Sequence, residues 1–357
     1  MKICVYAIAK NEERHVERFC RAAAEADLVL IADTGSTDKT IELARQAGAE
    51  VCSITVNPWR YDAARNLALG LIPDDMDLCV AMDLDEHLCE GWRQEIEKVW
   101  SPGVVQITYP FKVGDSVFDN NKIHSRHGFI WEWPVHECLS RDLRFPGETI
   151  RVDRQLILHD PVQEASADKH FKMLEWAYQQ YPESGRMAFY FARDLINLGR
   201  YSEAQEPLQR YLAQDPRKNA PERAWCMRMM GRCLTEQKNG SEALSWFRKA
   251  VQELPGDLDC WLALGHGYYS QEMWAEAYGV FRAAAIKAGK DSFLGDPTVT
   301  GASAWDWASL AASRAGLKYE AISCCREALR HSPEDQRLQA NLKAFEDEHQ
   351  AVEERRG

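Results

Sequence analysis

One pattern recurs from about residue 166 onward, and it decides how that stretch must fold. A small residue sits in one apolar helix, a second apolar helix follows, and a proline closes the unit. The pattern fits Ala188, Ala192, Ala204, Leu208 and Pro216, and returns as Met227, Gly231, Ala243, Phe247, Ala250 and Pro255. It is clearest as Trp261, Leu264, Gly265, Tyr268, Ala277, Phe281 and Ala284, and a fourth copy holds Trp305, Ala321, Cys325, Ala328 and Pro333. The alanines at 204, 243, 277 and 321 are 39, 34 and 44 residues apart. A single helix pair cannot bury its apolar face alone, so the copies must stack into a solenoid.

This pattern resembles tetratricopeptide repeats, whose period is about 34 residues. Loop insertion, notably over Lys290–Gly301, accounts for the longer spacings. Lys169–Pro182 reads as the second helix of a half repeat, and Asp335–Glu348 as a polar capping helix. The aromatic residues occupy packing positions. Such a solenoid offers a concave surface to an extended partner.

Residues 1–165 carry a different signal. Short apolar runs at Lys2–Ala9, Leu28–Ala32, Glu50–Thr55 and Met76–Met82 alternate with helical patterns over Glu12–Ala26, Lys39–Ala47 and Tyr61–Leu69. That alternation predicts an α/β domain: a mainly parallel, Rossmann-like sheet covered on both faces. Ligands of such sheets bind beyond the carboxyl ends of the strands. The polar clusters Lys10-Asn11-Glu12, Asp33–Asp38 and Asp83–Glu86 all fall there. The expected organisation is therefore an α/β domain over 1–165 and an all-α solenoid over 166–357.

Composition narrows the function. The net charge is −12, and residues 1–165, with 18 basic against 28 acidic side chains, hold most of it. That argues against a general nucleic-acid binder. Eleven cysteines without a C-x-x-C pair suit reduced thiols, hence a cytoplasmic location. No apolar run approaches the roughly 18 residues a membrane span needs, and the N-terminal run reads as a first strand rather than a leader. Cysteine and histidine spacings do not match a zinc site. The glycine-rich loops of nucleoside triphosphatases and dinucleotide enzymes are missing.

Asp83-Leu84-Asp85 directly follows an apolar strand. Two carboxylates at a strand end can face one cleft, and oxygen donors suit Mg²⁺ or Mn²⁺. Upstream lie Ala9-Lys10-Asn11-Glu12, then Asp33-Thr34-Gly35-Ser36-Thr37-Asp38, then Asp62-Ala63-Ala64-Arg65-Asn66. In this order these segments resemble the family 2 glycosyltransferases of the GT-A fold. The attached repeats are similar to the sublancin S-glycosyltransferase group, whose members modify peptide side chains.

The resemblance implies an inverting, metal-dependent hexosyltransferase using a UDP-sugar. Ala9, Asn11, Asp33, Arg65 and Asp83 would line the donor site, with Asp33 accepting the uracil N–H. Arg65 is a fixed cation for the base edge or the diphosphate, or else a structural partner of Asp62 or Asp85. Ser36, Thr37 and Asp38 are expected to cap the following helix. Asp85 would bind the metal, with Asp83 on the ribose or the metal. His159, closing the run Leu156-Ile157-Leu158, would be a third ligand. Within Trp131-Glu132-Trp133-Pro134-Val135-His136-Glu137, Glu137 is the expected base and His136 the second choice.

The acceptor is expected to be macromolecular: a peptide or protein side chain presented by the repeats. A competing acceptor is hydroxymethylated DNA, for which Arg217, Lys218, Arg223, Arg228 and Arg232 form a basic cluster. A non-catalytic repeat scaffold is the remaining alternative.

Overall fold

The computed structural model describes residues 1–113, 116–159, 167–214, 219–287 and 301–354. The chain divides into two compact units, Met1–Ala177 and Tyr178–Gly357. The first is built on a mixed sheet and the second is helical. The architectural change expected near residue 165 falls outside the described residues.

In the first unit, β1 (Ile3–Ala9), β2 (Leu28–Asp33), β3 (Glu50–Ser53) and β4 (Leu78–Ala81) alternate with α1 (Val16–Ala22), α2 (Thr40–Gln46) and α3 (Tyr61–Leu71). They are followed by β5 (Glu86–Leu88), α4 (Trp92–Val99), β6 (Val104–Val113), β7 (Ser116–Ser125), β8 (Phe129–Glu132), β9 (Cys138–Arg141), β10 (Glu148–Arg151), β11 (Ile157–His159) and α5 (Ala167–Gln180). The large sheet runs β10-β6-β7-β4-β1-β2-β3. Strands β1 to β4 are mutually parallel, as their alternation with helices requires, but β7 is antiparallel to both β4 and β6. The sheet is therefore mixed, because a β6–β7 hairpin needs no crossover helix.

Side-chain alternation along β1 explains the two-sided core. Ile3, Val5, Ala7 and Ala9 pack with Val16, Phe19 and Trp92 on one face. Cys4 and Tyr6 pack with Ala68, Phe129 and Trp131 on the other. The buried Tyr6 hydroxyl lies 3.1 Å from His124 Nε2 and accepts from Trp131 Nε1–H at 2.9 Å, so these three core side chains satisfy one another. Burial pushes His124 down to about 4.

The second unit continues from the end of α5 with paired helices: α6 (Gly185–Asn197) and α7 (Tyr201–Leu212), α8 (Ala220–Glu236) and α9 (Gly240–Glu253), α10 (Leu258–Ser270) and α11 (Trp274–Lys287), α12 (Gly301–Arg314) and α13 (Lys318–His331), then α14 (Gln336–Glu354). Ala204, Ala243, Ala277 and Ala321 are fully buried, as the repeat pattern requires. Gly231 lies against the Phe247 ring and Gly265 against the Phe281 ring, with no room for a Cβ at either. The inserted loop before Gly301 lies outside the described residues. Helix α5, expected as half a repeat, belongs to the first unit through Ala177. All eleven cysteines are free thiols. No helix among the described residues is long and apolar enough to cross a membrane.

Candidate active site

Strand β1 lies between β4 and β2, so chain connections leave it in opposite directions and a crevice opens beyond the carboxyl ends. A cleft of about 1360 Å³ lies there, walled by residues following β1, β2, β3 and β4 and by the start of α5. Ala9, Asn11, Asp33, Arg65, Asp83, Asp85 and His159 all line it.

The rim is built from short polar links between loops. Asn11 adopts the left-handed region (φ 59°), which asparagine tolerates. Its N–H donates to Ser36 Oγ at 2.9 Å, and its Oδ1 accepts from Thr37 N–H at 2.7 Å. The N-cap of α2 is Lys39, which makes no side-chain cap, rather than Ser36, Thr37 or Asp38; Asp38, one residue earlier, accepts at Oδ1 from Thr40 N–H at 3.0 Å. Asp33, expected to accept from uracil, is 1 % exposed and already accepts from Gly35 N–H at 2.9 Å and from Ser36 N–H and Oγ–H at 3.0 and 2.5 Å. Its carboxylate shapes the turn at the cleft wall.

Arg65, 4 % exposed, occupies the floor. Its Nη2 donates to Asp83 Oδ1 at 2.5 Å and its Nε to Glu137 Oε1 at 2.7 Å, while its guanidinium lies 4.8 Å from the Trp131 ring centroid. Asp62 pairs with Arg60 instead. The third nitrogen, Nη1, is buried without a hydrogen-bond partner. The neighbouring Asn66 explains the loop's placement: its side chain donates to Trp131 O and accepts from Trp131 N–H, both at 2.8 Å.

Lys122, on β7, completes the charge cluster and carried no motif in the sequence. Its Nζ donates to Asp83 Oδ2 at 3.0 Å and Glu86 Oε1 at 3.2 Å. Both Asp83 oxygens are therefore engaged by cations. Burial alone would raise the Asp83 carboxyl, but the nearby Arg65 and Lys122 charges outweigh it and hold it well below the usual range. Burial pushes Glu86 up, opposed by Lys122. Glu12 is also raised, by burial and by the charges of Asp85, Asp38 and Asp83.

Asp85 and His159 stand apart from that cluster. Asp85 Oδ2 lies 3.3 Å from His159 Nε2, brought there by antiparallel pairing of β11 with β5. His159 Nδ1 is buried without a partner. Among the described residues no three His, Cys, Asp or Glu side chains gather into a complete metal site. Of the two adjacent donors the Asp85 carboxylate is the hard oxygen ligand that Mg²⁺ or Mn²⁺ takes, and the His159 imidazole is a softer nitrogen donor beside it.

Glu137 is not among the lining residues; its side chain, 14 % exposed, accepts at Oε1 from Arg65 Nε at 2.7 Å. His136 also lies outside the lining, with its Nε2 3.2 Å from the Nε2 of His170. His170 does line the cleft, with Lys169, Met173 and Trp176 of α5. Trp59 and Tyr61, packed edge to face at 5.4 Å, form another part of the wall. Pattern reading missed these aromatics and the α5 residues; tryptophan clustered before the arginine motif was the only local signal.

In the second unit, the basic cluster is largely neutralised where it is described. Arg223 pairs with Glu253 at 2.9 Å and Arg228 with Asp259 at 3.2 Å. Arg232 donates to the Tyr201 hydroxyl at 2.9 Å. Arg217 and Lys218 lie outside the described residues.

No family profile matches the chain. Over 102 residues it is 34 % identical to an uncharacterized glycosyltransferase of Rickettsia bellii, covering 28 % of this chain and 33 % of that protein. A counterpart from Rickettsia typhi is 32 % identical over the same shares. The chain thus spans about a third of the length of these relatives. It is also 26 % identical over 321 residues, 80 % of this chain and 76 % of the other, to a TPR repeat-containing protein of Synechococcus elongatus. Among solved structures, MamA covers 48 % of this chain and is itself covered over 85 %, with TM-score 0.38 and 15 % identity. For YrrB, described as a TPR protein with an unusual peptide-binding site, the shares are 50 % and 83 %, with TM-score 0.39 and 18 % identity.

Proposed function

We propose that the chain is an inverting glycosyltransferase of the GT-A type, moving a sugar from a UDP-sugar to a peptide or protein side chain presented by the repeat unit. Partial kinship with proteins called glycosyltransferases supports the reaction class. The observation that carries the reading is Arg65: a guanidinium lining the cleft, anchored at two nitrogens, with its third nitrogen buried and unpartnered. A buried donor left unsatisfied costs about 1–3 kcal/mol, so such an atom favours an incoming acceptor. A diphosphate oxygen supplies one, with a charge matching the guanidinium.

Asp85 and His159 would hold a Mn²⁺ or Mg²⁺ ion, which when bound stabilises the departing diphosphate charge. Asp83 and Glu137 orient Arg65, and Lys122 keeps Asp83 ionised. The cleft aromatics Trp59 and Tyr61 offer ring faces to a nucleobase. The acceptor attacks the anomeric carbon from the side opposite the diphosphate, which inverts that centre.

A donor screen tests this. The protein is incubated with Mn²⁺ and each nucleotide sugar, and released nucleoside diphosphate is measured. We expect metal-dependent turnover with a UDP-sugar, lost on adding EDTA and reduced at least tenfold in Asp85→Asn with the fold intact, since a strand-end loop contributes little core. Undiminished turnover in EDTA would refute the metal assignment. No release from any nucleotide sugar would refute the reaction class.

A further inference from the structure

We propose that His170 is a catalytic residue of this transfer: its imidazole takes the proton of the attacking hydroxyl, and His136 behind it receives a proton in turn. The inference rests on the glycosyltransferase reading above. An attacking hydroxyl needs a proton acceptor on the cleft surface. Glu137 Oε1 is already engaged by Arg65 Nε at 2.7 Å. His170 lies on the surface, in the same wall system as Asp85 and His159.

The geometry of the two imidazoles defines what they can do. Their Nε2 atoms are 3.2 Å apart, with the rings at 80° and centroids 4.9 Å apart. Two neutral imidazoles hold two N–H protons among four nitrogens, and only one proton fits between the facing pair. When His170 is the donor across that gap, its Nδ1 carries a lone pair and is the nitrogen left for the cleft. His136 then accepts at Nε2 and carries its own proton on Nδ1. The pair is thus one base backed by one proton store.

The backbone holds His136 in place. His136 has φ 50° and Trp133 φ 79°, both in the left-handed region, which histidine enters more readily than a bulky tryptophan does. Such conformations cost on the order of 1–3 kcal/mol each and persist where the surroundings enforce them. Here Val135 is fully buried between them, and Pro134 O accepts from Tyr61 N–H at 3.0 Å, tying the turn to the start of α3. The turn therefore aims His136 at α5.

The step balances as follows. The acceptor O–H proton moves to His170 Nδ1 while the His170 Nε2 proton crosses to His136 Nε2, leaving His136 as imidazolium. The acceptor oxygen bonds to the anomeric carbon. The bond from that carbon to the diphosphate oxygen breaks, and its electrons leave with the nucleoside diphosphate.

The test uses the full chain, the UDP-sugar found by the donor screen and a hydroxyl-bearing peptide acceptor. His170→Ala is expected to lower kcat by roughly 10²–10⁴, while calorimetric UDP-sugar affinity stays within threefold of wild type. Added imidazole is expected to restore turnover in His170→Ala but not in Asp85→Asn. His136→Asn preserves the left-handed backbone and a hydrogen bond to His170 but cannot store the proton; it should lower kcat with KM unchanged. Wild-type turnover in His170→Ala, or a loss that imidazole leaves untouched, would overturn the assignment. A wild-type protein that transfers nothing from any donor would instead remove the reading beneath it.

Discussion

Replacing Lys122 by methionine tests the charge cluster under the cleft. The ammonium faces two carboxylates, at 3.0 Å from Asp83 and 3.2 Å from Glu86, and Glu86 is 3 % exposed. Methionine fills similar volume but leaves Glu86 without a cation. Removing one partner of a buried pair costs about 3–5 kcal/mol. The Lys122 side chain is 18 % exposed and that of Asp83 40 %, so water offsets part of the loss and about 3 kcal/mol is expected. The pH dependence has a definite sign. Burial raises the Glu86 carboxyl and Lys122 opposes the rise, so without the ammonium the folded carboxyl moves further above its unfolded value of about 4.3. A carboxyl raised in the folded state contributes stability below the unfolded value and loses it as pH rises through the folded one. The deficit should be widest at neutral and alkaline pH and narrow toward about pH 4. Amide hydrogen exchange of β1 and β4 reads the opening of the first unit alone. Adding Glu86→Gln should recover at least about 1 kcal/mol, because no buried charge is then left unpaired. A single variant within about 1 kcal/mol of wild type at neutral pH, or a deficit that does not narrow in acid, would refute the argument.

Two further substitutions probe the packing. Gly265→Ala would place a Cβ within 2.7 Å of three ring carbons of the fully buried Phe281; overpacking of about 1–3 kcal/mol should outweigh the roughly 1 kcal/mol helix-propensity gain. Gly279→Ala, with nothing within 4 Å, should stabilise instead, and urea midpoints of the two variants that shift the same way would contradict this. His124, pushed down to about 4 by burial, binds fewer protons folded than unfolded. Stability should therefore fall as pH drops from about 6.5 to 4, by about 3 kcal/mol. Comparing exchange at pH 7 and 4.5 checks this, and His124→Gln should lose that part of the slope.

The periodicities in the chain were enough to settle both architectures locally. Period-two apolar runs place Ile3, Val5 and Ala7 on one face of β1 and Cys4 and Tyr6 on the other. The recurring small residues place Gly231 and Gly265 under phenylalanine rings. Motif order also brought Asn11, Asp33, Asp83 and Asp85 to one cleft, because parallel strands deliver their carboxyl ends to one edge of the sheet; Arg65 reaches it from α3 and His159 through antiparallel pairing of β11 with β5. Which atom faces which partner was a different matter, since hydrogen bonds between distant segments leave no spacing in the sequence. Glu137 stands out in the segment from Trp131 to Glu137 as the expected base, and only the folded chain shows its Oε1 accepting from Arg65 Nε at 2.7 Å. Lys122 lies on a strand with no motif, yet antiparallel pairing of β7 with β4 puts it under Asp83. His170 reads as one residue of a repeat helix, and tertiary structure alone turns it toward the cleft and toward His136. Local patterning determines elements because it acts over a few residues. The polar pairings of the cleft depend on ångström distances across 18 to 74 residues of chain, and only the packed fold supplies those.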